Sequence, residues 1–242
     1  MFDKVLQTLR SMDINFNKLC EDNYSDLEED LRLAFEDECS ISCDSGVSKM
    51  VIFIQGADRV LKIPYSCCFD REVYEYDLAQ WDSGDFEDME EPLEECYWWK
   101  FECANCANIE AEYNWDYCAL ECAIYEAAYK RGLAPYFAKE EFYGLVNDRP
   151  VYTQVRVKPF EVCSSTISKQ QKEDTRRKCD SCGVRCFNSV WVTDFINHYG
   201  MDEFIKLSNF LTELGIIDLH EGNLGYYQGA PILLDYSDFR EW

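Results

Sequence analysis

The chain has 242 residues, of which 47% are hydrophobic and 15% aromatic, and its formal net charge is -24 at pH 7. This length and apolar content predict one large or two small globular domains, which excludes a disordered acidic tail. The excess of negative charge argues against direct binding to nucleic acids and to anionic membranes, because contacts with phosphate groups would be repulsive.

The sequence also bears on where the protein works. No apolar run approaches the length of a membrane span, and the first residues lack the apolar core of a signal peptide. We therefore expect an intracellular, cytoplasmic protein. In that compartment the 14 cysteines are expected to be thiols or metal ligands, since disulfides persist mainly in oxidising environments.

The first part of the chain predicts a helical extension followed by a small β-rich region. In residues 1–38, leucines recur at near-helical spacing between acidic residues, as is typical of amphipathic helices. Residues 42–49 are small and polar and predict a loop. Residues 50–54 and 59–64 then form two β-rich runs separated by a turn.

An insertion is predicted next, at about residues 66–116. It contains a helical segment at residues 69–81, a strongly acidic stretch at residues 82–95, and an aromatic segment with the pair Cys103 and Cys106. A run of like charges usually forms a solvated loop, so no function is assigned to the acidic stretch.

Regular elements resume after the insertion. Residues 116–131 predict a helix with one apolar face, and residues 137–143 and 151–157 predict a pair of strands. Residues 164–185 are polar and locally basic, which favours a linker or a flexible insertion. Residues 202–214 predict a second amphipathic helix.

Three side chains that bear oxygen follow this helix at close spacing. Asp218 and Asn223 share a short polar loop, and Asp235 ends an apolar run that predicts a strand. Mg²⁺ prefers such hard oxygen ligands and takes the rest of its shell from phosphates and water. A further aspartate is then available to orient, or accept a proton from, an attacking hydroxyl. The alternative is two turn-forming side chains and an aspartate that ends a strand.

The same residues carry a resemblance to a known family. Asp218-Leu219-His220-Glu221-Gly222-Asn223 resembles the catalytic loop of the protein-kinase-like superfamily, in the form found in aminoglycoside and choline phosphotransferases. Leu234-Asp235-Tyr236-Ser237 resembles its metal-binding Asp-Phe-Gly segment, with serine in place of glycine. The resemblance implies that Asp218 is the catalytic aspartate and that Asn223 and Asp235 bind Mg²⁺. It makes His220 a structural or substrate-adjacent residue.

The resemblance also implies a fold and its division. We expect an α+β, two-lobed protein-kinase-like fold in which residues 1–38 form an N-terminal helical extension. Residues 39–162 would form a small lobe with an antiparallel sheet and the insertion. Residues 163–242 would form a reduced, mainly helical large lobe, and residues 158–162 would be the hinge between the lobes.

In the small lobe, the resemblance implies further nucleotide-binding residues. Lys62, in the second β-rich run, would pair with the phosphates of ATP, and the loop at residues 44–48, with Gly46 and Ser48, would cover them. Glu121 on the helix at 116–131 would hold the lysine.

Alternatives to these assignments stay open from the residues alone. Lys62 is equally explained as an exposed lysine on an edge strand. Three other acidic residues compete with Glu121 for its role, namely Glu72, Glu75 and Glu126.

The cysteine pattern raises the question of a structural metal. Cys179, Cys182 and Cys186 are spaced as in zinc knuckles, and Cys163 is close enough in sequence to be a fourth ligand. The alternative is that these cysteines are small buried residues, because histidine, the usual co-ligand, is almost absent. Of the two histidines, His198 is expected near a helix end.

The function expected from the resemblance is phosphotransfer that depends on ATP and Mg²⁺. Because few residues follow Asp235, a small-molecule or atypical acceptor is expected rather than a peptide. Ile216 stands where the superfamily usually carries histidine. This departure favours an alternative, a catalytically degenerate, pseudokinase-like interaction protein whose acidic surface engages a basic partner or mimics nucleic acid.

Overall fold

A computed structural model describes residues 1–12, 24–46, 49–64, 117–147, 149–160 and 166–237. It confirms the predicted α+β class, since this part of the chain forms six α-helices and two sheets with antiparallel pairing. The helix predicted at residues 69–81, the acidic stretch and the pair Cys103 and Cys106 lie outside the described residues.

The chain divides into two compact units that each contain two segments of the sequence. The first unit is Met1–Ala119 with Phe142–Thr153, and the second is Leu120–Glu141 with Gln154–Trp242. The lobes expected from the sequence are a different division of the chain, and they stay predictions.

A five-stranded sheet organises the first unit. Its strands are β1 (Ile41–Ser45), β2 (Lys49–Ile54), β3 (Arg59–Pro64), β4 (Glu140–Val146) and β5 (Arg149–Val155). They lie in the order β1–β2–β3–β5–β4, so β3 is an interior strand. The strands predicted at residues 50–54 and 59–64 are thus confirmed. Four residues at the ends of β4 and β5 belong to the second unit, namely Glu140, Glu141, Gln154 and Val155.

Strand β1 corrects the prediction of a loop over residues 42–49. Asp44 pairs with Val51 and Ser45 pairs with Met50 in antiparallel register. The Gly46 N–H then donates to the Lys49 carbonyl at 3.0 Å across the hairpin. The small polar side chains of this segment favour a loop when they are considered alone. Pairing with the apolar β2 satisfies their backbone groups and overrides that preference.

Two N-terminal helices, α1 (Phe2–Ser11) and α2 (Tyr24–Ala34), confirm the helical content predicted for this region. Their buried side chains share one hydrophobic core with the sheet, including Val5, Leu9, Leu31, Met50 and Ile52. Arg10 Nε on α1 also donates to the Leu145 carbonyl on the edge strand β4 at 2.9 Å. The helices are therefore part of the core of this unit, and α1 protects an exposed sheet edge.

The second unit is mainly helical. Its helices are α3 (Tyr117–Lys130), which belongs to it from Leu120 onwards, α4 (Lys169–Cys182), α5 (Ser189–Tyr199) and α6 (Met201–Leu214). Three short antiparallel strands form its sheet, in the order β6 (Lys158–Pro159), β7 (Leu224–Tyr227) and β8 (Ala230–Leu233).

Helices α3 and α6 and strand β8 confirm their predictions, and His198 lies in the last turn of α5 as expected. None of the described helices combines the length and the apolar character that crossing a membrane requires.

Helix α4 corrects the prediction of a linker at residues 164–185. Ser168 and Gln171 form a reciprocal capping box, in which the serine hydroxyl accepts from the Gln171 N–H and the glutamine side chain accepts from the Ser168 N–H. Gly183, in the left-handed conformation, ends the helix. Thr175 and Cys179 are the buried residues of α4, and so short an apolar stripe gives almost no hydrophobic periodicity in the sequence.

Strand β4 begins at Glu140 and not at residue 137 as predicted. Phe137 instead forms a parallel bridge with Leu233, and the Ala138 N–H donates to the Leu233 carbonyl at 2.7 Å. Periodicity identifies residues suited to strands but not the strand with which they pair. This pairing fixes the end of β8, two residues before Asp235.

A close approach of two strands explains one glycine of the second unit. A Cβ atom on Gly225 in β7 would lie 2.4 Å from Val157 Cγ1 and 2.7 Å from the Lys158 carbonyl oxygen. The Gly225 carbonyl accepts a hydrogen bond from Nε1 of Trp191, a fully buried residue of α5, at 3.3 Å. Only glycine therefore fits between β6 and the indole that joins α5 to this sheet.

We expect Leu31→Ala to lower the free energy of unfolding by about 2–5 kcal/mol, because Leu31 is fully buried in the core that α2 shares with the sheet. Leu33→Ala is the matched control, since it removes the same side chain from the same helix at a site that is 52% exposed. It should change the free energy by about 0.5 kcal/mol or less. Urea unfolding of both variants checks this, and equal losses would contradict the position of α2 in the core.

Candidate active site

The loop with Asp218 is anchored at both ends by the backbone. Helix α6 ends at Gly215, whose φ of 71° is left-handed, and the Ile216 N–H donates back to the Leu211 carbonyl at 2.8 Å. At the other end, Glu221–Asn223 forms a 3₁₀ turn that leads directly into β7. Buried Ile216 and Leu219 attach the intervening residues to the core.

Asn223 holds Asp218 in place through its side chain. Its Nδ2 atom donates to the Asp218 carbonyl oxygen at 2.7 Å and lies 3.3 Å from Asp218 Oδ2. Both residues are more than nine-tenths buried. The amide nitrogen therefore faces Asp218, and the planar amide directs the Asn223 Oδ1 atom away from it.

The main chain of Asn223 in turn fixes the position of Asp235. The Asn223 carbonyl accepts from the Leu234 N–H at 2.8 Å, next to the pair formed by Leu224 and Leu233 in the β7–β8 ladder. Asp235 follows immediately and is half-buried. The structure thus brings together the three residues that the sequence predicted for this site, Asp218, Asn223 and Asp235.

Tyr236 anchors the segment that carries Asp235. Its hydroxyl donates to the Ala138 carbonyl at 2.8 Å, and its ring packs edge-on against Phe137 at 5.0 Å. Burial, together with the nearby carboxylates of Glu121 and Glu140, raises the pKa of Tyr236 well above its ordinary value. The phenol therefore keeps its proton and remains a hydrogen-bond donor.

Glu121, fully buried on α3, lies beside this segment. Its Oε1 atom accepts from the Ser237 hydroxyl at 3.1 Å, and its Oε2 atom accepts from Gln154 Nε2 at 3.3 Å. The same Gln154 nitrogen lies 3.1 Å from a Glu140 oxygen and 2.9 Å from the Leu234 carbonyl, so its two protons are shared among three acceptors. The structure therefore places the predicted Glu121 next to the Asp235 segment.

Sequence reasoning missed Glu140, Gln154 and the role of Ser237. Gln154 is a polar residue within an apolar strand, a signal that indicates either an edge position or a buried polar partner. Glu140 gave no comparable signal, since a glutamate at the start of a strand is most often solvated. Of the alternatives to Glu121, Glu126 is exposed, and Glu72 and Glu75 lie outside the described residues.

His220 contacts the loop that contains it. Its Nδ1 atom accepts from the Gly222 N–H at 3.0 Å, and its Nε2 atom lies 3.5 Å from Asp218 Oδ2. A Cβ atom on Gly222 would come within 2.7 Å of the imidazole, so glycine permits this contact. With Nδ1 as an acceptor, the neutral ring carries its proton on Nε2, which faces Asp218.

The remaining residues predicted to bind the nucleotide belong to the first unit. Lys62 is buried on β3, opposite Val51 of β2. The alternative of an exposed lysine on an edge strand is therefore wrong. Gly46 lies in the β1–β2 hairpin, whereas Ser48 lies outside the described residues.

The residues of the second unit fit a magnesium ion that takes few ligands from the protein. Among the residues that the structure describes, no three His, Cys, Asp or Glu side chains form a metal site of their own. Mg²⁺ commonly uses one or two carboxylates and completes its shell with phosphate oxygens and water. The Asp235 carboxylate and the Asn223 amide oxygen, which is directed away from Asp218, are ligands of this kind.

The predicted zinc ligands lie around the end of α4. Cys179 is fully buried, Cys186 is half-buried and Cys182 is exposed. The chain turns back after Gly183, and Cys186 is one of the groups that raise the pKa of Cys179, after burial itself. Cys163 lies outside the described residues, so the four-cysteine zinc site stays a prediction.

Comparison with models of protein families, with curated proteins and with solved structures gives no match to this chain. The residues of the site, their geometry and the resemblance of the two motifs are therefore what bear on the function.

We expect Cys182 to be alkylated much faster than Cys179 in the folded protein at pH 8. Burial raises the pKa of Cys179 to about 12, so almost none of it is thiolate at that pH, whereas Cys182 is exposed on the same helix. Timed iodoacetamide labelling followed by peptide mass spectrometry measures both rates in one sample. Similar rates in the folded state would contradict the burial of Cys179, and similar rates after denaturation provide the control.

Proposed function

We propose that the protein is a phosphotransferase dependent on ATP and Mg²⁺, and that it acts on the hydroxyl group of a small-molecule or otherwise atypical acceptor. The observation that carries this proposal is the double anchoring of Asn223. Its side chain holds Asp218 at 2.7 Å, and its main chain holds Leu234, the neighbour of Asp235, at 2.8 Å. A catalytic aspartate beside two metal ligands is the arrangement that phosphoryl transfer requires.

Each residue has a separate role in this proposal. Asp235 and Asn223 would hold Mg²⁺, which neutralises the negative charge of the phosphates when it is bound. Asp218 would orient the acceptor hydroxyl and take its proton, while Asn223 and His220 keep the carboxylate in position. The resemblance assigns Lys62 of the first unit to the phosphates as well, and that assignment is part of the proposal.

A non-catalytic, pseudokinase-like interaction protein is the second candidate. The observation that favours it is the buried Ile216, which stands two residues before Asp218, where the superfamily usually carries a histidine. With a net charge of -24, the surface of such a protein would suit a basic partner.

We expect ATP to bind in the presence of Mg²⁺ with a Kd on the order of micromolar, as is common for enzyme substrates. Asp235→Asn should weaken this binding by about tenfold or more, because it replaces a charged metal ligand with a neutral one. Asp180→Asn, the same change at an exposed position on α4, is the control and should leave affinity unchanged. Titration calorimetry with and without Mg²⁺ measures both, and absence of binding by the wild type under all conditions would overturn the proposal.

We expect Asp218→Asn to reduce ATP turnover by about 10²–10⁴-fold, the usual contribution of a positioned general base. Mg²⁺-ATP affinity should change by about twofold or less, since Asp218 is not assigned to the metal. Release of ADP, with water and a panel of small hydroxyl compounds as acceptors, measures turnover. Tight Mg²⁺-ATP binding without any turnover by the wild type would favour the non-catalytic candidate.

A further inference from the structure

Ser237 lies between the two acidic residues of the candidate site that come from different elements. Its hydroxyl is 3.1 Å from Oε1 of Glu121 on α3 and 3.4 Å from Oδ1 of Asp235, two residues earlier in the chain. Ser237 itself is only 2% exposed. The buried hydroxyl is therefore within hydrogen-bonding distance of both carboxylates, and either of them can accept its proton.

A serine hydroxyl has one proton, so it serves one of the two carboxylates fully at any moment. Donation to a charged oxygen is stronger than donation to a neutral one, and it reduces the cost of keeping a carboxylate out of water. Any change that removes negative charge from Asp235 therefore frees this proton for Glu121. A cation that binds Asp235 is such a change.

Other contacts make Glu121 a firm partner for this hydroxyl. Gln154 Nε2 lies 3.3 Å from its second oxygen and shares its two protons among that oxygen, Glu140 and the Leu234 carbonyl. Tyr236, between Asp235 and Ser237, is anchored to Ala138. Ser237 therefore connects α3 to the segment with Asp235. Other residues contact both ends of this connection, Gln154 at Glu121 and Ala138 at Tyr236.

We infer that Ser237 is a positioning residue that couples the state of Glu121 on α3 to the occupancy of the cation site at Asp235. The inference rests on the proposed function, since it needs a cation at Asp235. It gives a specific role to the serine that replaces the expected glycine in this segment. Cation binding shifts the serine proton towards Glu121, and an intact bond to Glu121 in turn favours Asp235 in its metal-binding position.

The test measures the Mg²⁺ concentration that gives half-maximal ATP binding in four proteins. Ser237→Ala should raise it about tenfold, which corresponds to the loss of one hydrogen bond to a charged group. Ser237→Thr keeps the hydroxyl and should stay within about threefold of wild type. Ser208→Ala removes the hydroxyl of another buried serine of the same unit, on α6, and should have no effect. Equal shifts in Ser237→Ala and Ser208→Ala, or no shift in either, would overturn the inference.

A double-mutant cycle in urea tests the coupling without nucleotide. Ser237→Ala and Glu121→Gln should be non-additive, with a ratio of unfolding constants that departs from additivity by about threefold or more. Strict additivity, together with intact Mg²⁺-ATP binding in the wild type, overturns the inference and leaves the proposed function standing. No Mg²⁺-ATP binding by the wild type overturns the proposed function, and the inference with it, even where the cycle shows coupling. If Ser237→Ala does not fold, Ser237→Cys, a near-isostere with a much weaker donor, takes its place in both measurements.

Discussion

Asn223 makes two kinds of contact, and the geometry of the candidate site depends on their combination. Its side chain binds Asp218 within the loop, whereas its carbonyl binds Leu234 across the β7–β8 hairpin. One residue therefore sets the spacing between the loop and the segment with Asp235. The Asn223 side chain is 8% exposed and Asp218 is also buried, so water competes little for the bond between them.

The second unit also shows how an acidic protein satisfies its carboxylates with few cations. The sequence contains 47 acidic and 23 basic residues, so many carboxylates need neutral donors. Tyrosine hydroxyls serve two of them, from Tyr136 to Glu203, which also pairs with Lys206, at 2.7 Å and from Tyr226 to Asp194 at 2.6 Å. Burial is the largest cause that raises the pKa of both tyrosines, and the bonds to the carboxylates add to it. The phenols therefore remain protonated donors at any ordinary pH.

Neutral donors also bind carboxylates within the candidate site. Glu121 is bonded to a serine and a glutamine, and Glu140 to the same glutamine. These hydrogen bonds from neutral side chains reduce the cost of keeping the two carboxylates away from water.

Periodicity alone determined most of the regular elements. Strands β2 and β3 and helices α3 and α6 have strong hydrophobic patterns and lie where they were predicted. The patterns failed where the deciding interaction is distant in sequence. Strand β1 is polar and forms because β2 pairs with it, and the start of β4 moves because Phe137 and Ala138 pair with β8. Helix α4 was missed because its apolar stripe is too short to show a period.

The sequence by itself also identified the candidate site, since Asp218, Asn223 and Asp235 are three side chains with oxygen atoms in one loop and at one strand end. It did not determine which glutamate joins them. Glu121 and Glu126 lie on the same helix, and only the tertiary structure buries the first beside Gln154 and Ser237 while it leaves the second exposed. The physical reason is that a buried carboxylate requires donors from other segments, and those contacts come from residues 33 and 116 positions away in the sequence.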